Sequence, residues 1–361
     1  MRKKSLSVKK IIHKKNLLKI SDKKIINIYQ RFKKNIIFLN DKSKFSAGIS
    51  GGPDSMALAY FLKLYSLEKK IRINYYHVDH GLRHSSKYEA LMVKKKLKLI
   101  NINLKILKWK GQKPKSNIQS KARKSRYNLI SKRLNKNLIN IIFLGHTEDD
   151  LIENFLIRLS RGSGLKGFVS FNSKLIENNG VYLCRPLLNC SKSELEYTSQ
   201  KIYNFYIKDP SNKDFKYKRS RIREIIQKLK EEKFNFEKIK LTISNLTKSN
   251  DVIEFYVNNN LDENTIYLKK KFVILKRNFF LQPDEIVFRS FSKILSDVGG
   301  KYYSSRGRKI LKMIHRIVSN NFSKATLSGC TIEKIKKLTI IYPETLKKLL
   351  FCIICLLLYS Q

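Results

Sequence analysis

The sequence predicts an α/β fold, in which a doubly wound parallel sheet is followed by a smaller, mainly helical accessory domain. From residue 44 to about residue 145, short β-rich apolar runs alternate with helical patterns, and the first run leads directly into a glycine turn and a helix. Such alternation joins parallel strands through right-handed crossovers, so that helices cover both faces of the sheet. Beyond residue 232 helical patterns dominate.

The elements of the first domain follow in order. Residues 1–43 are expected to form a basic helical lead-in, whose apolar residues at helical spacing are Ile25, Ile26, Ile28, Tyr29 and Phe32. The predicted strands are Phe45–Ser50, Ile71–Val78, Leu104–Trp109 and Ile139–Gly145, and the helices between them are Met56–Lys69, Lys87–Ile100 and Ser116–Leu134. A helix from about residue 149 to 159 and a very basic helix over Arg219–Lys230 complete this domain, which we expect to span residues 44–232.

The accessory domain is expected to span residues 233–361. It has a helical segment from 234 to about 260, a hairpin over Thr265–Leu275, and helices over Glu285–Ser296 and Gly307–Ser319. Its tail, residues 349–361, contains an apolar run of about eleven residues, which is too short to cross a bilayer of about 30 Å as a helix. We expect this tail to be a buried terminal element and expect no membrane partner, with an interfacial membrane anchor as the alternative.

Composition indicates a polyanionic partner. The 361 residues include 76 lysines and arginines against 28 acids, a net charge of +48, and nucleic acid is the leading candidate. Lysine, isoleucine and asparagine are abundant throughout, as in proteins of AT-rich genomes, so charge alone leaves an RNA-binding surface and a compositional bias as equal alternatives. Five scattered cysteines form no disulfide framework, and the N-terminus lacks the apolar core of a secretory signal. We therefore expect a cytoplasmic protein.

The turn after the first strand has the properties of a phosphate-binding corner. It consists of Ser50, Gly51, Gly52, Pro53, Asp54 and Ser55. Without Cβ atoms, Gly51 and Gly52 let backbone N–H groups approach an anion, and the following helix adds the positive end of its dipole. Pro53 suits a first helical turn, and the serine and aspartate oxygens can contact phosphate or metal. The Walker pattern is absent here, which disfavours an ordinary P-loop kinase or GTPase.

Two further polar motifs begin where other strands end. His77–Arg83 leaves the second strand and Gly145–Asn154 leaves the fourth, and because the carboxyl ends of parallel strands share an edge, we expect all three motifs to converge. His146, Asp150 and Glu153 fall on one face of a helix. The alternative for these acids is ordinary stabilisation of a helix N-terminus, about 0.3–1 kcal/mol each.

The ordered set of motifs resembles a known family. Ser50–Ser55 looks like the S-G-G-x-D-S signature of the PP-loop ATP pyrophosphatases, whose fold is adenine nucleotide alpha hydrolase-like, and with the other two motifs it resembles the tRNA(Ile)-lysidine synthetases. The resemblance is dense over residues 44–230 and includes Ala122–Tyr127, Arg161–Gly164, Arg185–Leu188, Asp209–Asn212 and Arg219–Arg223. Leu151 departs from the family, which usually has Gln at this position.

The resemblance implies an activity and its partners. The reaction would attach free L-lysine to the wobble cytidine of tRNA(Ile) with a CAU anticodon, through an adenylated cytidine, with release of AMP and pyrophosphate. ATP and Mg²⁺ would be the cofactors, and the tRNA and lysine the partners. Residues 233–361 would then contact the tRNA.

The resemblance also implies roles for single residues. The catalytic residues would be Asp54, Arg126, His146 and Arg221, with Arg223 beside Arg221 reaching over the site. The nucleotide would contact Ser50, Gly51, Gly52, Pro53, Asp54, Ser55, His77 and Asp79, and Asp54 would also hold Mg²⁺. Lysine would be held by Asp150 and Glu153, with Asp149 as a helper.

Two other interpretations stay open. A PP-loop tRNA thiolase activates a base in the same way but needs cysteines near the site, whereas Cys352 and Cys355 lie in the apolar tail. The second interpretation is a tRNA-binding protein whose catalytic site has decayed. It is disfavoured because Ser50–Ser55, His146 and Glu153 are intact. The oligomeric state, the general base and the basis of tRNA discrimination stay open.

Overall fold

The computed structural model describes residues 18–39, 43–81, 84–109, 111, 118–133, 140–172, 175–178, 181–208, 218–268, 272–300, 307–319 and 322–345. The chain divides into two compact units, residues 1–246 and 247–361. A domain boundary near residue 232 stays a prediction. The apolar tail and Asp209–Asn212 lie outside the described residues.

The first unit alternates helices and strands. Its helices are α1 Lys23–Lys34, α2 Pro53–Glu68, α3 Ser86–Lys98, α4 Ile118–Ser131, α5 Glu148–Leu159, α6 Leu165–Val169, α7 Lys192–Tyr203 and α8 Lys218–Glu231. Its strands are β1 Lys44–Gly48, β2 Ile73–Asp79, β3 Leu104–Lys108, β4 Asn140–Phe143, β5 Leu175–Asn178 and β6 Val181–Cys184. A long helix, α9 Phe236–Asn264, begins in this unit and continues into the second.

The described strands of the first unit form one sheet in the order β3-β2-β1-β4-β6-β5. Strand β1 pairs in parallel with β2 and β4, so that Ala47 lies opposite Tyr75 and Phe143, and β5 alone is antiparallel, at the edge. The predicted parallel α/β fold is confirmed. Because the chain runs from β1 outward to β3 and then returns to β4, the carboxyl ends of β1 and β4 flank a topological switch point, where such sheets bind ligands.

The core positions the corner after β1. All seven residues of α2 from Met56 to Leu62 are fully buried, so the helix that begins at the corner is fixed on every side. Helix α1 joins this core through Ile28 and Phe32, which are also fully buried. Ile26 is half-buried, so the predicted apolar face of the lead-in holds for the other four residues.

The second unit combines helices with a five-stranded antiparallel sheet in the order β7-β8-β11-β10-β9. The helices are α10 Asp284–Gly299 and α11 Gly307–Val318, a 3₁₀ turn covers Arg277–Leu281, and the strands are β7 Thr265–Leu268, β8 Phe272–Leu275, β9 Lys324–Leu327, β10 Cys330–Ile335 and β11 Leu338–Pro343. The predicted hairpin is β7 and β8, whereas β9 to β11 were not predicted. Among the described residues, no helix has the length and apolarity needed to cross a membrane.

Candidate active site

The corner after β1 is held by contacts that only glycine permits. Gly51 has a φ of +94°, and a Cβ atom there would lie 2.5 Å from Ile207 Cδ1 and 2.6 Å from Val93 Cγ2. The Ser55 hydroxyl braces the turn from inside, since it accepts from the N–H groups of Ser50 and Gly51 at 3.2 and 3.0 Å and donates to the Gly52 carbonyl at 2.9 Å. The turn is therefore built before any ligand binds.

The motif after β4 packs directly against this corner. A Cβ atom on Gly145 would lie 3.1 Å from both the Asp54 carbonyl and the Ser55 nitrogen. The second motif is tied to the same place, because the His77 imidazole donates from Nδ1 to the Ile49 carbonyl at 2.9 Å. The structure thus brings the three motifs together at one edge of the sheet.

Asp54 is the carboxylate of the corner, and it is half-buried, with its Oδ1 atom shielded from solvent. Its Oδ1 has no hydrogen-bond partner among the described residues. Burial raises the pKa of this carboxyl to about 7, and the negative charge of Asp150 raises it further, while Lys192 opposes both. An unpartnered, poorly solvated carboxylate oxygen beside a phosphate-binding turn is a chemically suitable ligand for a hard cation such as Mg²⁺.

The residues after β2 have structural contacts of their own. His77 is buried, and burial lowers its pKa, so its imidazole is neutral. Asp79 Oδ1 accepts from the Gly81 N–H at 2.9 Å, which closes a turn within the motif. Burial and the charge of Arg126 lower the pKa of His80 to about 4. Ser125, the residue before Arg126, lies with its hydroxyl 3.3 Å from His80 Nδ1, so α4 reaches the same edge of the sheet.

The acids at the start of α5 begin with a capping box. Thr147 Oγ1 accepts from the Asp150 N–H at 3.3 Å, and Asp150 Oδ2 accepts from the Thr147 N–H at 3.1 Å. Asp149 accepts from the Lys192 N–H at 2.8 Å, and Glu148 pairs with Lys240 at 3.0 Å. Ordinary helix capping thus accounts for part of this acidic cluster.

Glu153 differs from these acids because it is buried, with 4% of its surface exposed. The guanidinium of Arg223 donates to it, and Arg219 Nε lies 3.3 Å from its other oxygen. Burial raises the pKa of the Glu153 carboxyl, although the hydrogen bond and charge of Arg223 act against this shift. Arg219 also lies 3.6 Å from Asp150 Oδ1. Two carboxylates and two guanidiniums therefore form one network between α5 and α8.

Of the two arginines of α8 that were expected over the site, Arg223 turns toward the acids of α5. Arg219 and Arg223, four residues apart, turn toward the acids, while Arg221 lies on the exposed side of α8. Arg219 was missed as a site residue. The sequence did contain a pattern that could have indicated it. The arginines at i and i+4 lie on one face of their helix, as the acids Asp150 and Glu153 at i and i+3 do on theirs. A catalytic role for Arg221 stays a prediction.

His146 is supported by a stack of side chains. The centroids of the His146 and Phe171 rings lie 4.9 Å apart, with the ring planes tilted by 53°, and the Arg185 guanidinium carbon lies 4.3 Å from the centroid of the same Phe171 ring. Arg185 is buried and donates to the Phe171 carbonyl at 2.9 Å. The family-like segment that begins at Arg185 thus holds the aromatic ring on which His146 rests.

Comparison with known proteins agrees with this geometry. The model of a family described as a PP-loop domain matches residues 19–229. A tRNA(Ile)-lysidine synthase of Wolbachia pipientis wMel is 30% identical over 322 residues, 88% of this chain and 74% of that protein. The tRNA(Ile)-lysidine synthase of Rickettsia bellii strain OSU 85-389 is 32% identical over 336 residues, 89% of this chain and 75% of that protein.

The chain belongs to the tRNA(Ile)-lysidine synthase family. Its PP-loop domain makes it a user of ATP. Among solved structures, the U34-tRNA thiolase NcsA from Methanococcus maripaludis with its [4Fe-4S] cluster is 20% identical over 58% of this chain and 73% of that chain, with a TM-score of 0.46. That similarity is too distant to bear on activity.

The departure at Leu151 has a structural explanation in this tRNA(Ile)-lysidine synthase family member. Leu151 is buried in an apolar cluster with Phe171, Leu188 and Ile243. Its side chain thus packs behind the site, next to the ring that supports His146. An apolar residue suits that environment better than an amide, which would need a buried hydrogen-bond partner.

Proposed function

We propose that the chain uses ATP to attach lysine to the wobble cytidine of tRNA(Ile) with a CAU anticodon. Family membership supports this function, and one observation carries it for this chain. A Cβ atom on Gly145 would lie only 3.1 Å from the Asp54 carbonyl, so the start of the motif after β4 lies against the phosphate-binding turn, and that turn adjoins a helix whose acids suit a cationic substrate. The reaction needs both groups in one crevice.

The chemistry consists of two displacements. The carbonyl oxygen of the cytosine attacks the α-phosphorus of ATP, an oxygen–phosphorus bond forms, and pyrophosphate leaves. The neutral ε-amine of lysine then attacks the activated ring carbon, the bond to the AMP oxygen breaks, and the amine loses a proton. Backbone N–H groups at Gly51 and Gly52 bind phosphate in this scheme. A Mg²⁺ ion held by the free oxygen of Asp54 would screen the triphosphate charge.

The α5–α8 network suits the second displacement. Lysine arrives as an ammonium ion, and Asp150 and Glu153 offer carboxylates whose charges Arg219 and Arg223 already partly balance. The carboxylate oxygens have acceptor sites left beside those that the arginines use, and hydrogen bonds to the ammonium group there would replace part of its lost hydration. In this scheme the same guanidiniums would also neutralise charge on departing pyrophosphate.

The thiolase alternative is disfavoured by the properties of Cys190, which lies beside the start of α5. The Cys190 carbonyl accepts from the Glu148 N–H at 3.1 Å, so this cysteine lies beside the start of α5. Burial raises the pKa of its thiol to about 12, whereas sulfur transfer requires a thiolate. Cys352 and Cys355 lie outside the described residues.

The decisive experiment follows labelled lysine into tRNA. Full-length protein is incubated with ATP, Mg²⁺ and a tRNA(Ile) transcript with a CAU anticodon, and the digested nucleosides are identified by mass spectrometry. We expect lysine in the wobble nucleoside and release of pyrophosphate, with neither from a transcript whose wobble cytidine is replaced by uridine. Pyrophosphate release without lysine incorporation, or a sulfur-bearing nucleoside, would contradict the proposal.

A further inference from the structure

A cavity that is open to solvent lies at the edge of the six-stranded sheet opposite to the PP-loop. It has a volume of about 350 Å³ and lies where β2 and β3 begin and where α2 and α3 end. Its polar lining includes Lys63, Lys70, Arg72, Lys105, Asn74 and Asn103. This volume lies in the range of small-molecule sites, about 300–1,000 Å³.

The cavity is separate from the candidate active site. Strand β2 begins at Ile73, which lines the cavity, and ends at Asp79, in the motif next to the PP-loop. Six residue steps of a strand span about 20 Å. A phosphate group bound in this cavity therefore does not reach the corner after β1.

Its charge is one-sided. Four cationic side chains line the cavity and no lining residue is acidic. Among the described residues, none of the four forms an ion pair with a carboxylate. Lys63 is half-buried, and burial lowers its pKa, because its ammonium group has lost solvent without gaining a counter-charge. Such a group is stabilised by a bound anion.

Helix dipoles explain only part of this arrangement. Helices α2 and α3 end beside the cavity, and their partly negative ends favour nearby cations. That effect does not account for Arg72 and Lys105, which lie at the starts of strands. The helix dipoles also do not explain why asparagine amides line the cavity together with the cations.

We propose that this cavity is a second phosphate-binding site, for a phosphate ester carried either by a free nucleotide or by the backbone of an RNA. Lysine and arginine supply charge and hydrogen-bond donors to phosphate oxygens. The asparagine amides can contact the hydroxyl groups of an attached ribose. The site would act independently of the lysine transfer proposed above.

The test compares two variants of the full-length protein that lose equal charge. K70Q/R72Q/K105Q removes three cations from the cavity, and K94Q/K95Q/K98Q removes three exposed lysines from α3 that do not line it. Calorimetric titration with ADP counts nucleotide sites, and filter binding measures tRNA affinity. If the ligand is a free nucleotide, two sites fall to one in the cavity variant alone. If the ligand is RNA, the Kd of the cavity variant for tRNA rises about tenfold and that of the control variant rises less than threefold.

Two further measurements keep the outcome clear. Asn103→Glu, at an exposed position, brings a carboxylate to the same cations and should reproduce the loss without removing any side chain that supports a helix end. Pyrophosphate release at saturating ATP and tRNA should stay unchanged in every cavity variant. Failure of the proposed lysine transfer would show in the native protein, so it is distinguished from failure of the cavity proposal. Equal binding by cavity and control variants in both titrations would overturn the proposal.

Discussion

The Asp54 carboxyl changes its charge near neutral pH. Burial, aided by Asp150, raises its pKa to about 7, and a hard cation binds only the ionised form. We therefore expect kcat/KM for ATP, measured by pyrophosphate release, to fall as the pH drops through about 7. Asp54→Ala should abolish release at every pH. Normal release by that variant would contradict the assignment of the corner as the ATP site.

A stability measurement tests the same group without substrate. The folded-state pKa of Asp54 is raised, so the folded chain loses stability relative to Asp54→Asn as the pH rises from about 4 to about 7, and the difference is constant above that range. Thermal melting of both proteins across this range measures the difference. A difference that does not change with pH would show that Asp54 ionises freely in the folded protein.

Gly51 combines a left-handed backbone with close contacts, and Gly300 provides a matched control. Gly300 has a φ of +61° but open space around its Cβ position, whereas a Cβ atom on Gly51 would lie 2.5 Å from Ile207. Alanine at either position meets a backbone strain of about 1–2 kcal/mol. We expect Gly51→Ala alone to lose pyrophosphate release, because the corner must also shift. Equal activity of the two variants would show that the corner tolerates displacement.

Glu153 and Glu148 separate substrate binding from helix capping. Both lie on α5, but Glu153 is buried beside two arginines and Glu148 pairs with Lys240. Glu153→Gln should spare adenylation of the base and raise the KM for lysine at least about tenfold, since it removes a charge that faces a cation. Glu148→Gln should change this KM less than about threefold. Unchanged lysine dependence together with failed adenylation would reverse the division of roles.

At the scale of elements, the contact between α5 and α8 decides which arginines act. Arg223 faces Glu153, whereas Arg221 lies on the exposed side of α8. In single-turnover modification of bound cognate tRNA, we expect Arg223→Ala to lower the rate by at least about a hundredfold and Arg221→Ala to lower it less, with little change in tRNA affinity for either. A larger loss from Arg221→Ala would indicate that α8 turns its other face to the substrate during catalysis.

The elements also show how far sequence reasoning extends. The alternation of β-rich and helical patterns, together with the turn residues, predicted the first four strands to within two residues at each end. Strands β5 and β6 were missed, although they are as long as β4, which was predicted. Helix α7 was missed although Ser191 and Glu194 form a capping box, which is visible in the sequence. Helical spacing placed Glu153 on the same face as His146 and Asp150. The arginines that contact Glu153 could not be predicted in this way, because their position depends on tertiary packing.

At the scale of the whole molecule, the excess charge has two possible origins. The net charge of +48 fits tRNA binding, but lysine is abundant at positions with no apparent partner. The acids are not spread evenly either, since α9 alone carries Glu237, Asp251, Glu254, Asp262 and Glu263. A functional surface must therefore be identified from the arrangement of charges on single elements.

Helix α11 offers such an arrangement in the second unit. It buries Ile310, Met313 and Ile317 and exposes four cations, which are Arg308, Lys309, Lys312 and Arg316. Phosphate contacts carry affinity without sequence information, whereas unpaired anticodon bases are read on their edges. Replacing the four cations by Gln should therefore weaken cognate and non-cognate tRNA alike, by about tenfold or more, and flatten the dependence of log Kd on log salt concentration. Filter binding over a salt series measures both effects, with K94Q/K95Q/K98Q as the control for charge lost elsewhere. If the α11 variant binds tRNA as the control does, the charge of this helix reflects genomic composition and not a surface for tRNA.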